Sequence, residues 1–390
     1  MGVSYPRVCV NQKAAARVAA GHPWIFASDV VDRGGASPGD VVEVVTGRGR
    51  WLGVAHYSST SQICLRLLSS RPVGVDADFF VSRIRAAEQH RRRVVSGSNA
   101  YRVVYSEADF LPGLVVDRYA DYLVLQCLSQ GMDRATPLIV EALRSAFNPP
   151  GILARNDVPV RDKESLPRHV TVLDGEVPDV TVISMNGLTL EVELKTGQKT
   201  GVFLDQRENY MAAARYARGV ALDCFTCTGG FALHMARACS RVTAVDSSAP
   251  ALAMAQRNAA RNGVENVEFL EANVFDLLNS FCLADRHFDA IVLDPPAFAK
   301  SRSSLDAAAR GYKEINFRAM KLLSAGGTLV SCSCSHHMSE ASLLEVIATA
   351  ALDAGRTVRI LERRTQAQDH PILLTAPETL YLKCLILEVL

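Results

Sequence analysis

The sequence predicts an α/β protein in which a doubly wound, mostly parallel sheet fills the C-terminal half, behind a small β unit and a small α+β unit. Three observations carry this expectation. From about Gly219 onward, short apolar runs without internal alternation are separated by stretches of helical period, as expected of strands covered by helices on both faces. Residues 1 to about 70 instead hold short β segments punctuated by turn residues. Finally, 390 residues exceed what one ordinary core supports.

In order along the chain, Val8 to Val10, Val41 to Val45, Trp51 to Tyr57 and Ile63 to Leu68 read as strands, broken by Ser37-Pro38-Gly39-Asp40 and Gly47-Arg48-Gly49. From Asp76 to about Val95, Phe79, Phe80, Ile84 and Ala87 recur at helical spacing. Arg83, Arg85, Arg91, Arg92 and Arg93 mark this helix as a candidate phosphate-binding face, against the plainer reading of a solvated face. Residues 101–185 mix strands (Tyr101 to Tyr105, Leu114 to Asp117, Tyr122 to Gln126, Gly151 to Arg155) with a helix near Ala135 to Phe147, stopped by Pro149-Pro150. A hairpin then turns at Asn186-Gly187. The alternating region follows: strands at Val220 to Asp223, Val242 to Asp246, Val267 to Leu270, Ala290 to Leu293 and Thr328 to Ser333, with helices at Gly230 to Ala238, Pro250 to Asn262, Tyr312 to Leu323 and Glu340 to Ala354. Two closing strands lie near Val358 to Leu361 and Leu380 to Glu388. The expected domains are 1–72, 73–185 and 186–390.

An apolar share of 48% and a charged share of 21%, with no low-complexity tract, indicate a globular chain. No run reaches the ~18 to 20 apolar residues of a membrane span, and Met1 to Val10 lacks a signal pattern, so a cytoplasmic protein is expected. Ten cysteines scattered through strand-like segments read as reduced thiols. A formal net charge of +1 means that any nucleic-acid site rests on local patches.

In a doubly wound sheet, ligands bind at the carboxyl ends of the strands. The first strand ends at Asp223 and runs into Cys224-Phe225-Thr226-Cys227-Thr228-Gly229-Gly230-Phe231, where paired glycines permit a tight turn and a close backbone approach to a ligand. The second ends at Asp246, about 20 residues beyond, where a carboxylate can accept both hydroxyls of a ribose. Asn273 follows the third strand, and its amide can donate to and accept from an adenine edge. Together, the glycine pair with Gly229, Asp246 and Asn273 at successive strand ends point to a nucleoside-type ligand, which puts Asp223, Phe225 and Thr226 of the same first turn among the candidate binding residues. The fourth strand ends Asp294-Pro295-Pro296-Ala297-Phe298-Ala299-Lys300, a rigid extended turn able to hold a base edge. The fifth ends Ser331-Cys332-Ser333-Cys334-Ser335-His336-His337. Alternation places Cys332 and Cys334 on one face, and only its position at the strand end favours Cys334.

Asp223-x-Phe-x-x-Thr-Gly-Gly-Phe, Asp294-Pro-Pro-x-Phe-x-Lys and Ser-Cys-Ser-Cys-Ser together resemble the ribosomal large-subunit RNA cytosine-5 methyltransferase I family. The likeness runs nearly end to end. Gly21-His22-Pro23-Trp24-Ile25-Phe26 and the following β unit resemble its PUA domain. Leu111-Pro112-Gly113-Leu114-Val115-Val116-Asp117-Arg118-Tyr119 resembles its central EEHEE domain. Lys199-Thr200-Gly201-Val202-Phe203-Leu204-Asp205-Gln206-Arg207 resembles the segment that helps enclose the cofactor, which implicates Gln206 and Arg207.

The resemblance implies a Rossmann-like class I methyltransferase domain behind a PUA-like barrel, S-adenosylmethionine as cofactor, ribosomal RNA as partner, no membrane, no metal and a homodimer. It makes Cys334 the nucleophile and Asp294 its catalytic partner, with Asp294 also near the cofactor and Pro295, Pro296, Phe298 and Lys300 facing substrate. Two departures stand out. Ala297 replaces the second cysteine that the wider RNA cytosine-5 group carries after its fourth strand, and Asn273 stands where the family usually has Asp. The alternatives are an amino methyltransferase acting on adenine or guanine, a catalytically inactive RNA-binding protein, and a zinc site built from Cys224, Cys227, Cys332, Cys334 and the two histidines.

Overall fold

The computed structural model describes residues 5–197, 200–299 and 304–390, so Lys300 lies outside the described residues. Among these, no helix is long and apolar enough to cross a membrane. The chain forms two compact units. One comprises the chain up to Ser184 with Val192–Val202 and Gln368–Thr379; the other comprises Met185–Glu191, Phe203–Ala367 and Leu380–Leu390.

The first unit begins with β1 (Arg7–Val10), α1 (Gln12–Ala19), β2 (Trp24–Phe26), β3 (Val30–Asp32), β4 (Val41–Thr46), β5 (Trp51–Tyr57) and β6 (Ile63–Ser69), its strands ordered β2-β6-β5-β4-β1-β3. The four expected strands form. β2 and β3, three residues each, were too short to leave a periodic signal. The Gly-His-Pro-Trp motif ties the sheet down: the Trp24 amide donates to His22 Nδ1 (3.1 Å) and the indole donates to Glu107 (2.8 Å).

Next come α2 (Ala77–Val94), β7 (Ala100–Tyr105), β8 (Leu114–Tyr119), β9 (Tyr122–Cys127), α3 (Gln130–Arg134), α4 (Thr136–Phe147), β10 (Gly151–Arg155) and β11 (Val170–Gly175), with strand order β11-β10-β9-β8-β7. Asp76 caps α2, accepting from the Phe79 amide (3.0 Å), and Phe79, Phe80, Ile84 and Ala87 pack on Ile139 and Leu143 of α4. Arg85, Arg92 and Arg93 of the arginine run on α2 are exposed, but one member turns inward. Arg91 is fully buried, grips both oxygens of Asp109 at 2.5 and 2.6 Å, and donates to the Arg102 and Asp369 carbonyls. Arg83 lies over Phe79 and Phe110, and Arg92 pairs with Glu88. A charged run read from sequence cannot show which member turns inward, and here the helix period carries Arg91 into the core with Ile84 and Ala87.

The β unit and the α+β unit also share a buried junction. Glu164 accepts from Ser58 (2.8 Å), Arg66 (2.8 Å) and the Gln130 amide (3.2 Å), and a Cβ added at Gly131 would fall 2.2 Å from the His56 ring. Deleting residues 1–70 therefore uncovers a surface built around a buried carboxylate, so such a truncation perturbs what it leaves behind. The Leu-Pro-Gly-Leu-Val-Val-Asp-Arg-Tyr motif is an anchor: Asp117 holds Arg102 at 2.8 and 2.9 Å and accepts from Thr200 (2.5 Å), whose hydroxyl also meets that of Tyr119 (2.8 Å).

A two-stranded hairpin, β12 (Val180–Met185) and β13 (Leu188–Glu193), turns at Asn186 and Gly187, both with positive φ, as the Asn-Gly pair predicted. The second unit contains α5 (Arg207–Tyr216), β14 (Gly219–Cys224), α6 (Gly230–Met235), β15 (Cys239–Asp246), α7 (Ala249–Arg261), β16 (Val267–Glu271), α8 (Val274–Leu283), β17 (Phe288–Leu293), α9 (Leu305–Leu322), β18 (Leu323–Ser333), α10 (Glu340–Ala354), β19 (Val358–Arg364) and β20 (Lys383–Val389). Its seven strands run β16-β15-β14-β17-β18-β20-β19. The five from β16 to β18 are parallel, and β20 inserts antiparallel between β18 and β19. Strand order reverses between β14 and β17, so Asp223 and Asp294 flank the point where such sheets open a crevice.

Candidate active site

Asp223 is fully buried near the end of β14. Its Oδ2 accepts from the Thr226 hydroxyl (2.5 Å) and the Ala232 amide (2.9 Å), whereas Oδ1, also buried, has no hydrogen-bond partner among the described residues. Burial pushes this carboxyl up to about 7 against the pull of those two bonds, and the Asp294 and Asp246 carboxylates push the same way. The turn that follows is contorted, with Phe225, Cys227 and Gly229 all at positive φ. Left-handed conformations at non-glycine residues cost ~1 kcal/mol or more and gather at functional loops.

The paired glycines serve two purposes. Gly229 (φ +86°) supplies the turn. Gly230 instead makes room for a side chain of the protein: an added Cβ would lie 2.5 Å from the Tyr210 ring, which also packs edge-on against Phe231. Close approach at the second glycine is thus made by Tyr210, which sequence reasoning missed and which only its place one turn after Gln206-Arg207 could have flagged.

Asp246, half-buried at the end of β15, accepts from the Cys227 amide (2.8 Å) through Oδ2 and from the Ser248 amide (2.9 Å) through Oδ1. Each oxygen keeps a second lone pair for a ligand hydroxyl. Asn273 is the N-cap of α8, its Oδ1 accepting from the Phe275 (2.9 Å) and Asp276 (3.4 Å) amides. This plain capping role engages the side-chain acceptor and leaves the amide nitrogen as the group's donor.

Asp294, half-buried just beyond β17, accepts from Gln206 Nε2 (3.0 Å), and Gln206 Oε1 accepts from Asn209 (2.7 Å). The segment before α5 is thereby joined to the fourth strand end. Arg207 is buried against Glu208 (2.6 Å). Pro295 is buried and Pro296 exposed. Phe298 packs on Tyr312 and Phe275, with ring centroids 4.8 and 5.9 Å apart.

The two thiols part company at the end of β18. Cys332 is 0% exposed and stands directly across from the buried Cys384 of β20; burial pushes its thiol far up. Cys334, half-buried, lies past the strand end with Sγ 4.0 Å from the Pro295 carbonyl. The serines beside it hold the loop: Ser335 Oγ accepts from the Ala299 amide (3.2 Å), and both Ser333 (2.9 Å) and Ser335 (3.1 Å) meet the Tyr312 hydroxyl. Sequence reasoning also missed Lys383, a cation at the head of the apolar strand β20 whose Nζ donates to the Ser335 carbonyl (2.7 Å). A lysine opening an apolar run was its only signal. Among the described residues, no group of three or more His, Cys, Asp or Glu side chains is placed to hold a metal ion.

The raised carboxyl of Asp223 has a measurable consequence. An acid whose folded-state ionisation is displaced upward stabilises the fold while protonated and loses that contribution as pH climbs from about 4 to about 7. We expect ligand-free Asp223→Asn to match the parent near pH 4, to draw ahead as pH rises, and to exceed it by roughly 1–3 kcal/mol near pH 8, read by denaturant unfolding. A difference that stays constant with pH would contradict this.

Comparison with known proteins agrees with the geometry. Residues 8–70 match a PUA-like domain, and residues 161–379 match the S-adenosylmethionine-dependent methyltransferase family. The chain is 42% identical over 377 residues to a ribosomal RNA large subunit methyltransferase I of Aeromonas salmonicida (strain A449), covering 94% of this chain and 95% of that one. It is 43% identical over 378 residues to that of Pseudoalteromonas atlantica (strain T6c / ATCC BAA-1087), covering 95% of each. A methyltransferase of solved structure from Streptococcus mutans, 20% identical, shares the fold with a TM-score of 0.83 over 98% of this chain and 100% of that one. The strand order, the acidic strand ends and these likenesses converge: the chain belongs to the S-adenosylmethionine-dependent methyltransferases, within the family of ribosomal RNA large subunit methyltransferase I.

Proposed function

We propose that this chain transfers a methyl group from S-adenosylmethionine to carbon five of a cytosine in large-subunit (23S) ribosomal RNA, in the cytoplasm, through a covalent adduct with Cys334. The observation that carries the reading is the half-buried Cys334 thiol 4.0 Å from the Pro295 carbonyl, in the turn that Asp294 opens. The cofactor fits the residues present. Buried Asp223 Oδ1 offers an acceptor that has no donor among the described residues, which suits a cationic ligand. Asp246 offers lone pairs to ribose hydroxyls and Asn273 an amide donor to adenine; Phe225, Thr226 and Gly229 form the turn after β14, Gln206 holds Asp294, and Arg207 follows Gln206 in the same segment. When bound, the cofactor supplies an electrophilic methyl group on a sulfonium.

Carbon five of cytosine is a weak nucleophile. The Cys334 thiolate adds to carbon six, and its electron pair becomes the new carbon–sulfur bond, leaving carbon five enamine-like and able to take the methyl group. Asp294, held by Gln206, hydrogen-bonds the ring nitrogen and the exocyclic amine as charge develops there. After methylation carbon five gives up its proton to a base, the ring double bond re-forms and the thiolate departs. Pro295 and Pro296 stiffen the turn on the substrate side, with Lys300 beyond them in the sequence. Phe298, packed on Tyr312 and Phe275, supports that turn from its apolar side; this disfavours an amino methyltransferase, in which the aromatic would face the base. We assign residues 1–72 to RNA binding, 73–185 to a central module and 186–390 to methyl transfer.

Nucleotide-resolution mass mapping of large-subunit ribosomal RNA, from cells with and without the gene, tests the proposal. One cytosine should lose its carbon-five methyl group in the deletion and regain it on complementation. A change at an exocyclic amine, or no change, would count against it.

A further inference from the structure

Lys383 is 5% exposed and begins the run Lys-Cys-Leu-Ile-Leu-Glu-Val of β20. It stands directly across from Ser333 of β18, and its Nζ donates to the carbonyls of Ser335 (2.7 Å) and Tyr381 (2.8 Å). Both partners are neutral. Among the described residues, no carboxylate oxygen is within ion-pair reach of this ammonium. A cation withdrawn from water and held only by carbonyls is costly, by several kcal/mol, unless an opposite charge lies near it.

The surrounding groups narrow the choice of that charge. Glu340, at the start of α10, is paired with Arg363, and Asp294, beyond β17, bonds to Gln206 and makes no hydrogen bond or ion pair with this ammonium. His336 and His337, in the loop after β18, cannot supply negative charge. Tyr312 of α9 is a phenol that burial pushes up, so it is neutral at neutral pH. Cys332 and Cys384 are buried between the strands. Cys334 remains, flanked by Ser333, the strand partner of Lys383, and by Ser335, whose carbonyl grips Nζ. We infer that Lys383 is a positioning residue that holds Cys334 as the thiolate, forming with it an ammonium–thiolate pair beneath the Asp294 turn. Burial draws the lysine down to about 8, and the charges of Cys334 and then Glu340 hold it up. The arrangement is self-consistent at neutral pH.

The role operates twice in the proposed reaction. The ammonium keeps its proton throughout, so the thiolate pair is available to form the bond to carbon six. At the end, the electrons of the broken carbon–hydrogen bond restore the ring double bond and the carbon–sulfur pair returns to sulfur beside a waiting positive charge. The inference rests on reading Cys334 as the nucleophile, but its test does not use methyl transfer.

The test alkylates the full-length free protein with iodoacetamide across a pH series and quantifies the Cys334 peptide by mass spectrometry. An opposite charge within ~4–6 Å moves an ionisation by about 1–3 units, so Lys383→Met should slow alkylation of Cys334 at neutral pH by roughly tenfold or more. The two rates should converge at alkaline pH, where the thiol ionises unaided, and Lys383→Arg should recover most of the loss. Equal rates at neutral pH in folded Lys383→Met would overturn the inference, as would an arginine variant no faster than the methionine one. If Lys383→Met does not fold, the parent protein decides. Half-maximal alkylation of Cys334 must fall at lower pH than for the same cysteine in an unstructured peptide, and a midpoint at or above that of the peptide ends the proposal. Failure of the covalent mechanism itself appears elsewhere, as a parent enzyme that forms no adduct with RNA.

Discussion

Cys334→Ala should lose methyl transfer almost completely, by at least about a thousandfold, while S-adenosylmethionine still binds, because removing a covalent nucleophile leaves only binding and electrostatics to act. Cys332→Ala should keep most activity. Cys332 is wholly buried against Cys384, so its loss should cost ~1 kcal/mol of stability through a small cavity and leave the chemistry alone. RNA carrying 5-fluorocytosine gives the sharpest readout, since fluorine cannot leave as a proton and the methylated adduct stalls. The parent enzyme and Cys332→Ala should each form a denaturant-resistant complex with such RNA, and Cys334→Ala should form none. Trapping that survives in Cys334→Ala but vanishes in Cys332→Ala would reverse the assignment. Trapping by no form, the parent included, would remove covalent cytosine chemistry altogether.

Asp246→Ala should weaken S-adenosylmethionine binding by roughly 10²- to 10⁴-fold, because two charge-assisted bonds to ribose hydroxyls are worth about 1.5–3 kcal/mol each. The alanine also releases the Cys227 and Ser248 amides, which the carboxylate holds at 2.8 and 2.9 Å, so part of the loss reflects a loosened turn. Asp246→Asn separates the two contributions. It retains one acceptor oxygen for the backbone while removing the charge, and should fall between alanine and the parent in calorimetric titration. Undiminished affinity in a folded Asp246→Ala protein would place the ribose elsewhere.

The alternating α/β half, the helix capped by Asp76, the turn at Asn186-Gly187 and the acidic strand ends were all legible in the sequence. Each is written locally, in a period of two or three to four residues, a capping side chain or a turn dipeptide. Asn273 shows the limit of local reading: an amide after a strand looks like a ligand group, and the structure shows that it also starts α8, a helix the sequence left unassigned.

The depth of each side chain was settled only by tertiary structure. Cys332 and Cys334 share a face and a composition; they differ because β20, arriving some fifty residues later, pairs antiparallel with β18 and sets Cys384 across from the first thiol, while the second runs past the last strand pair. The same strand brings Lys383 to the Ser335 carbonyl. Arg91 looked like its exposed neighbours until α4 and the central sheet fixed the inward side of α2. Gly230 looked like a ligand contact until α5 delivered Tyr210 to it. Periodicity reports what repeats along one segment, whereas burial and charge pairing depend on which distant segment packs against it, and that choice is made by the fold as a whole.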